Sequence, residues 1–330
     1  MLLSFRSEHI KTSCIIPAFP YNYSVKKVKI ALIQTKVSGD VRKNVEKTVK
    51  MVEEAAKNGA EIIALQELFQ TPYFPQRENL EKDDYAEDVK GYTVSEMKKA
   101  AARLGVTIIV PFYEKKDGKY YNTAAVVGKN GRLAGKYHKI HIPHDPGFYE
   151  KEYFEEGSGG YVIFKSGDVK FAVLICYDQW FPEAARMARL AGAEIIFYPT
   201  AIGKIVGYDE EGDWHDAWET VQRGHAIANS VYVAAINRVG REGRMRFWGK
   251  SFISDPFGKV IKRGSGTKEE IIAAELDLER NDFYAEGWGF LRNRRPDTYK
   301  GLTTGKLVKK SKKLENVEHY KDMKKALKQK

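Results

Sequence analysis

The sequence predicts an α/β domain made of two related halves, and three observations point to it. Short apolar runs rich in Val and Ile alternate with helical patterns along most of the 330 residues, an order that builds parallel sheets covered by helices. The first half is also echoed in the second. Val28-Lys-Ile-Ala-Leu-Ile33 returns as Val169-Lys-Phe-Ala-Val-Leu174, and Gly59-Ala-Glu-Ile-Ile63 returns as Gly192-Ala-Glu-Ile-Ile196. Finally, each copy reads strand, helix, Gly-Ala-Glu, strand, which describes one domain with internal pseudo-two-fold symmetry rather than two independent domains.

The elements follow from local chemistry. Val28–Gln34 is an apolar strand. Asp40 caps a helix whose apolar face is Val41, Val45, Val49, Val52 and Ala56, ended by Asn58-Gly59. Glu61–Gln66 is a second strand. Thr93-Val-Ser-Glu96 has the spacing of a capping box and predicts a helix through Leu104, stopped by Gly105. Val106–Tyr113 is a third strand, and Asp117-Gly118 and Asn130-Gly131 are hairpin-type turns. Phe171–Ile175 is a buried strand, after which Pro182 and Glu183 open a helix that Gly192 stops. Glu194–Tyr198 is again a strand, and residues 214–230 are helical. Further strands are expected at 231–238, 247–254, 259–263 and 271–276. The folded domain is expected over 25–302, with an extension over 1–24 and a basic tail over 303–330.

Composition narrows the function. With 43% hydrophobic and 30% charged residues, the chain is a soluble globular protein with a sizeable core. Two cysteines, Cys14 and Cys176, exclude a disulfide framework and a Cys-based structural zinc, and suit a reducing, cytoplasmic compartment. No apolar run is long enough for a membrane span, so no membrane partner is expected. The net charge of +11 invites a nucleic-acid reading, but its distribution argues otherwise. From Thr303 on there are ten Lys against three acids, a balance of +7. The excess therefore sits in the tail, which reads as a solvated segment or a subunit contact, and with no interleaved aromatics beyond Tyr320 no nucleic-acid partner is expected.

The candidate chemistry lies at strand ends. In open α/β sheets, reacting groups gather outside the carboxyl ends of the strands. That rule singles out Glu67, Cys176 and Thr200, with Thr200 the second-half counterpart of Glu67. Cys176 sits on a strand-to-helix turn, which exposes a nucleophile and aims backbone N–H groups at the same point. A thiol nucleophile needs a proton acceptor. Seven histidines and Glu67 are candidates, and Glu67, following a buried strand, is the one whose proton affinity burial would raise. Lys139 is a candidate point charge for a developing oxyanion. The spacing of His138, His141 and His144 hints at a metal site, but Pro143 interrupts it and no acidic ligand pattern accompanies it. No metal and no cofactor are expected.

Together these blocks resemble the nitrilase superfamily of carbon–nitrogen hydrolases. The carrying residues are Leu65-Gln-Glu67-Leu, Gly135-Lys-Tyr-His-Lys139-Ile-His-Ile-Pro and Ile175-Cys176-Tyr-Asp-Gln-Trp-Phe-Pro-Glu183, and the resemblance covers roughly residues 25–300. It implies a four-layer α-β-β-α sandwich and a Glu67-Lys139-Cys176 triad. It also implies a second glutamate at Glu150, with Glu152 close by, and oxyanion stabilisation by Lys139 and the Tyr177 N–H. Within the superfamily the chain is most similar to amidases of carbamoyl-amines, through Asp178-Gln-Trp-Phe-Pro, Tyr198-Pro-Thr-Ala-Ile-Gly203, Gly224-His-Ala-Ile-Ala-Asn229 and Trp288-Gly-Phe-Leu-Arg-Asn-Arg-Arg-Pro296. Relatives that select carboxylate substrates tend to carry arginine where this chain has Trp180. The small-molecule substrate implied is therefore a carbamoyl-amine, bound near Tyr177, Trp180 and Thr200. Acidic Asp209, Glu210, Glu211, Asp213 and Asp216 are expected to receive its cationic tail. The resemblance also implies a homo-oligomer, at least a dimer.

Overall fold

The echo between the halves is a structural equivalence. The computed structural model describes residues 26–208, 212–305, 313, 315 and 317–328; the expected extension over 1–24 lies outside them. The first half runs β1 (Lys27–Gln34), α1 (Val41–Lys57), β2 (Ile62–Leu65), α2 (Tyr92–Leu104), β3 (Thr107–Lys116), β4 (Lys119–Val127) and β5 (Leu133–His138). The second begins with β6 (Ile163–Ser166), β7 (Val169–Val173), α3 (Pro182–Leu190), β8 (Ile195–Thr200), β9 (Gly203–Ile205) and α4 (Trp214–Asn229). It continues with β10 (Tyr232–Asn237), β11 (Val239–Glu242), β12 (Met245–Trp248), β13 (Phe252–Ser254) and β14 (Val260–Arg263). β15 (Glu270–Asp277) rejoins the first half, and α5 (Glu279–Trp288) and α6 (Glu318–Lys328) follow.

One six-stranded sheet has the order β15-β1-β2-β3-β4-β5, and the other, read from its far edge, β6-β7-β8-β10-β13-β14. The two lists match neighbour for neighbour. In each, an antiparallel edge strand precedes three parallel strands and two antiparallel ones follow. Even the register is shared. Ile30 pairs with Ile62 as Phe171 pairs with Ile195. The Glu61 N–H donates to Lys29 O at 2.8 Å, as the Glu194 N–H donates to Lys170 O at 2.9 Å.

Strand alternation produces the layers. Ile30, Leu32, Ile62 and Ala64 face the second sheet and share one core with Phe171, Ile195 and Phe197. Ala31, Ile33, Ile63 and Leu65 face the other way, onto Val45, Val52, Met97 and Ala101 of α1 and α2. Ala184 and Ala188 of α3 and Ala226 of α4 pack on the second sheet. The order is helices, sheet, sheet, helices.

Three expectations are corrected. Thr93 does not cap its helix; Gly91 is the N-cap, and Thr93 lies inside α2. Glu87, from outside the helix, instead accepts from the Thr93 N–H (2.8 Å) and hydroxyl. The single strand expected over 247–254 is two strands in different sheets, because Gly249 and Lys250 both take left-handed conformations (φ 58° and 51°) and turn the chain. β11, β12 and β9 form a separate three-stranded sheet. The tail was expected to be a solvated segment or a partner contact. Within it α6 packs on its own chain instead, burying Met323 and Ala326 while its lysines point outward.

Candidate active site

The carboxyl ends of the two central sheets bring Glu67, Lys139 and Cys176 together. Glu67 lies just past β2, Lys139 just past β5 and Cys176 just past β7. Cys176 takes φ +44°, a left-handed conformation that costs an L-residue roughly 1–2 kcal/mol. It opens a short 3-10 turn, Cys176–Trp180, that leads into α3. The expected strand-to-helix turn is therefore present, with backbone strain at the cysteine itself.

Lys139 is the hub. Its Nζ donates to Glu67 Oε1 at 2.9 Å and to Glu150 Oε2 at 2.6 Å, and all three side chains are buried. Glu67 Oε1 also accepts from Asn122 Nδ2 at 2.7 Å. Glu67 Oε2, equally buried, has no hydrogen-bond partner, so one carboxylate oxygen is held by the Lys139 ammonium and the Asn122 amide while the other stays open to accept a proton. Glu150 Oε1 accepts from the Tyr73 hydroxyl at 2.7 Å. Of the two adjacent glutamates, Glu150 is the one in the site; Glu152 accepts from the Asn79 N–H at the surface.

The site's charges oppose one another. Burial pushes the Glu150 carboxyl up to about 7, against the pull of Lys139. Burial opposes the Lys139 charge, but the carboxylates of Glu150 and Glu67 overcome it and hold the ammonium charged. Burial and then the Glu67 charge push the Cys176 thiol well up, while Lys139 and a backbone hydrogen bond from Ala201 pull it down. The resting thiol is thus protonated within the field of the Glu67 carboxylate. A site of this kind can carry out acyl transfer in which the base takes the proton as the sulfur attacks.

Two buried residues that the sequence did not single out as functional hold this geometry. Asp178, two residues past the cysteine, accepts from the Ile175 N–H (2.8 Å), the Tyr137 hydroxyl (2.7 Å) and the His141 N–H (3.0 Å). It thereby ties the cysteine turn to the segment carrying Lys139. Arg238, at the end of β10, donates through Nη2 to Glu67 O and Leu68 O, both at 2.9 Å, and fixes the loop that presents Glu67. Their only sequence signal was position, at a strand end or beside the cysteine.

A cavity of about 350 Å³ adjoins the cysteine turn, walled by Phe148, Tyr177, Trp180, Ile202 and Trp214, with Asp145 and no Lys or Arg among the described residues that line it. Tyr177 and Trp180, both expected near the substrate, are among its lining residues. Thr200 is not: its hydroxyl is buried and donates back to Tyr198 O at 3.0 Å. Asp213 is not there either. It caps α4, accepting from the His215 and Asp216 N–H groups, because an Asp before a helix is better used on the first turn's free donors. Asp209, Glu210 and Glu211 lie outside the described residues. The three histidines of the suspected metal spacing part company: His138 bonds Glu114 and His141 bonds Asp178. Among the described residues no three His, Cys, Asp or Glu side chains are grouped to hold a metal ion, and no helix is long and apolar enough to cross a membrane.

A doubled α/β sandwich with Cys, Glu and Lys converging at the strand ends defines a hydrolase that cleaves carbon–nitrogen bonds of amides. Residues 29–285 match the family described as carbon–nitrogen hydrolase, and the chain belongs to that family, within the nitrilase superfamily. It is 40% identical to N-carbamoylputrescine amidase of Arabidopsis thaliana, across 84% of this chain and 96% of that one. It is 36% identical to citrullinase of Francisella tularensis, across 82% and 96%. The crystal structure of a carbon–nitrogen hydrolase from Helicobacter pylori superposes with a TM-score of 0.82 at 38% identity, covering 86% of this chain and all of that one.

Proposed function

We propose that this enzyme hydrolyses N-carbamoylputrescine to putrescine, carbon dioxide and ammonia through Cys176, Glu67 and Lys139. Glu67 takes the thiol proton as Cys176 attacks the carbamoyl carbon. Lys139 and the Tyr177 N–H stabilise the oxyanion. The leaving amine departs with a proton from Glu67, which then draws a proton from the water that cleaves the S-acyl bond, and the carbamic acid released breaks its remaining carbon–nitrogen bond to give carbon dioxide and the second amine. Glu150 holds Lys139 between two carboxylates, so that its charge stays fixed at the reacting carbon.

The observation that carries the substrate reading is Asp145 in an aromatic cavity with no Lys or Arg among its described lining residues. Burial raises the Asp145 carboxyl, with His319 and His144 drawing it down. A carboxylate desolvated in this way gains from a cationic partner, which the ammonium of a carbamoyl-amine supplies. Asp145 thus takes the role that the sequence gave to the 209–216 segment. Trp180 and its aromatic neighbours suit a tetramethylene chain and the adjacent cation. The similarity to N-carbamoylputrescine amidases supports the same reading.

The similarity to citrullinase favours one competitor, a carbamoyl amino acid. The test is kcat/KM for N-carbamoylputrescine, N-carbamoyl-β-alanine and butylurea, on wild type and Asp145→Asn. The amine should be preferred by wild type by at least tenfold, and Asp145→Asn should level amine and butylurea. Faster turnover of the acid would assign the enzyme to carbamoyl amino acids instead.

A further inference from the structure

The family match ends at residue 285, well before α6 begins at Glu318. Yet His319 and Met323 of that helix line the cavity beside the cysteine turn, together with Tyr177 and Trp180. The helix is fastened there on several sides. Met323 and Ala326 are buried in a cluster with Ile142, Ile205 and Met245. Arg244 Nη2 donates to Ala326 O at 2.9 Å, Lys324 lies 3.6 Å from Glu78, and His319 Nδ1 and the Tyr208 hydroxyl are 2.7 Å apart. A segment outside the hydrolase domain therefore supplies one wall of the space a substrate tail would fill.

We propose that α6 is the specificity wall of this enzyme, with Met323 limiting the length of the tail a substrate can carry. The proposal rests on the cavity being the substrate site, not on the substrate being an amine. The physical reason is volume. At about 350 Å³ the cavity is at the small end of ligand sites. One methylene too many or too few in an apolar pocket is worth roughly 10–200-fold in kcat/KM. A buried, unbranched Met is a side chain whose replacement changes that volume directly.

The experiment uses the full chain and two readouts. One is kcat/KM for N-carbamoyl-α,ω-diamines and for n-alkylureas of three to six methylenes. The other is the labelling rate of Cys176 by N-alkyl iodoacetamides of the same lengths, followed by peptide mass, which needs no turnover. Met323→Ala should move the length optimum up by at least one methylene. Met323→Trp should move it down, with a tenfold or greater loss for the longest tails, carried by KM. Lys325→Ala, on the exposed face of α6, should leave every profile unchanged. Identical length profiles in wild type and both Met323 variants would overturn the proposal. So would a uniform loss at all lengths with a lowered thermal midpoint, which would give the helix a purely structural role. If wild type prefers alkylureas to diamines but its length profile still follows Met323, the polyamine reading fails and the wall stands.

Discussion

Lys139 Nζ lies 2.6 Å from Glu150 Oε2, and neither side chain reaches water. The pair is one arm of a carboxylate–ammonium–carboxylate chain that ends on Glu67. Removing the centre is costlier than removing an end. Lys139→Met leaves two buried carboxylates without their cation, and breaking a buried ion pair in this way costs roughly 3–5 kcal/mol. We expect Lys139→Met to lower the unfolding midpoint markedly and to abolish turnover. The double variant Lys139→Met/Glu150→Gln should recover part of the stability and none of the activity. Denaturant unfolding of the three proteins checks this, and equal stability of the single and double variants would contradict it.

Arg238 gives a second prediction. Its guanidinium serves Glu67 O, Leu68 O and Thr71 O and also pairs with Glu242 at 2.8 Å. A lysine carries the charge but not the fork needed to reach these acceptors together. Arg238→Lys should therefore lower kcat by at least tenfold with KM little changed, since it loosens the base and not the cavity. A wild-type kcat in Arg238→Lys would show that the Glu67 loop holds its shape unaided.

What the sequence could and could not reveal follows from the range of each interaction. The doubled βαβ pattern, the Asp40 cap and the Cys176 turn are written in residues near one another, and they were legible. Asp178 bonds His141, and Arg238 bonds Glu67 across 171 positions; no local pattern marks either. No local pattern marks Asp145, which lines a cavity beside aromatics, whereas Asp213 stands out by its acidic neighbours and is a helix cap. The tail misled for a related reason. Its lysines dominate the composition, but the side chains that dock α6 are the few between them, Met323 and Ala326.

Assembly yields a third prediction. Phe283 is 73% exposed, Trp288 59% and Leu302 68%. Phe257 stacks on Tyr284 and Trp288 nearby. Apolar surface gathered like this marks a protein contact. We expect at least a dimer formed through this face, which the double variant Phe283→Asp/Trp288→Asp should convert to monomer by light scattering. A monomeric wild type would remove the expectation.

The last prediction separates two roles of Glu67. As a base it accelerates attack; as a charge it holds the neighbouring thiol protonated, since the Glu67 carboxylate and burial both raise the Cys176 pKa. The two roles have opposite signs in Glu67→Gln. Loss of the base should lower kcat by roughly 10²–10⁴-fold. Loss of the negative charge removes one of the causes that raise the thiol, while Lys139 still lowers it, so the thiolate should form at a lower pH than in wild type. Labelling of Cys176 by iodoacetamide across pH reads this directly. In wild type the rate should keep climbing above pH 9, because the thiol titrates above the ordinary cysteine range. In Glu67→Gln the inflection should move to lower pH even as turnover collapses. An inflection that stays in place would mean that Glu67 acts on the thiol only by proton transfer, and one that moves up would mean that the carboxylate does not face the sulfur at all.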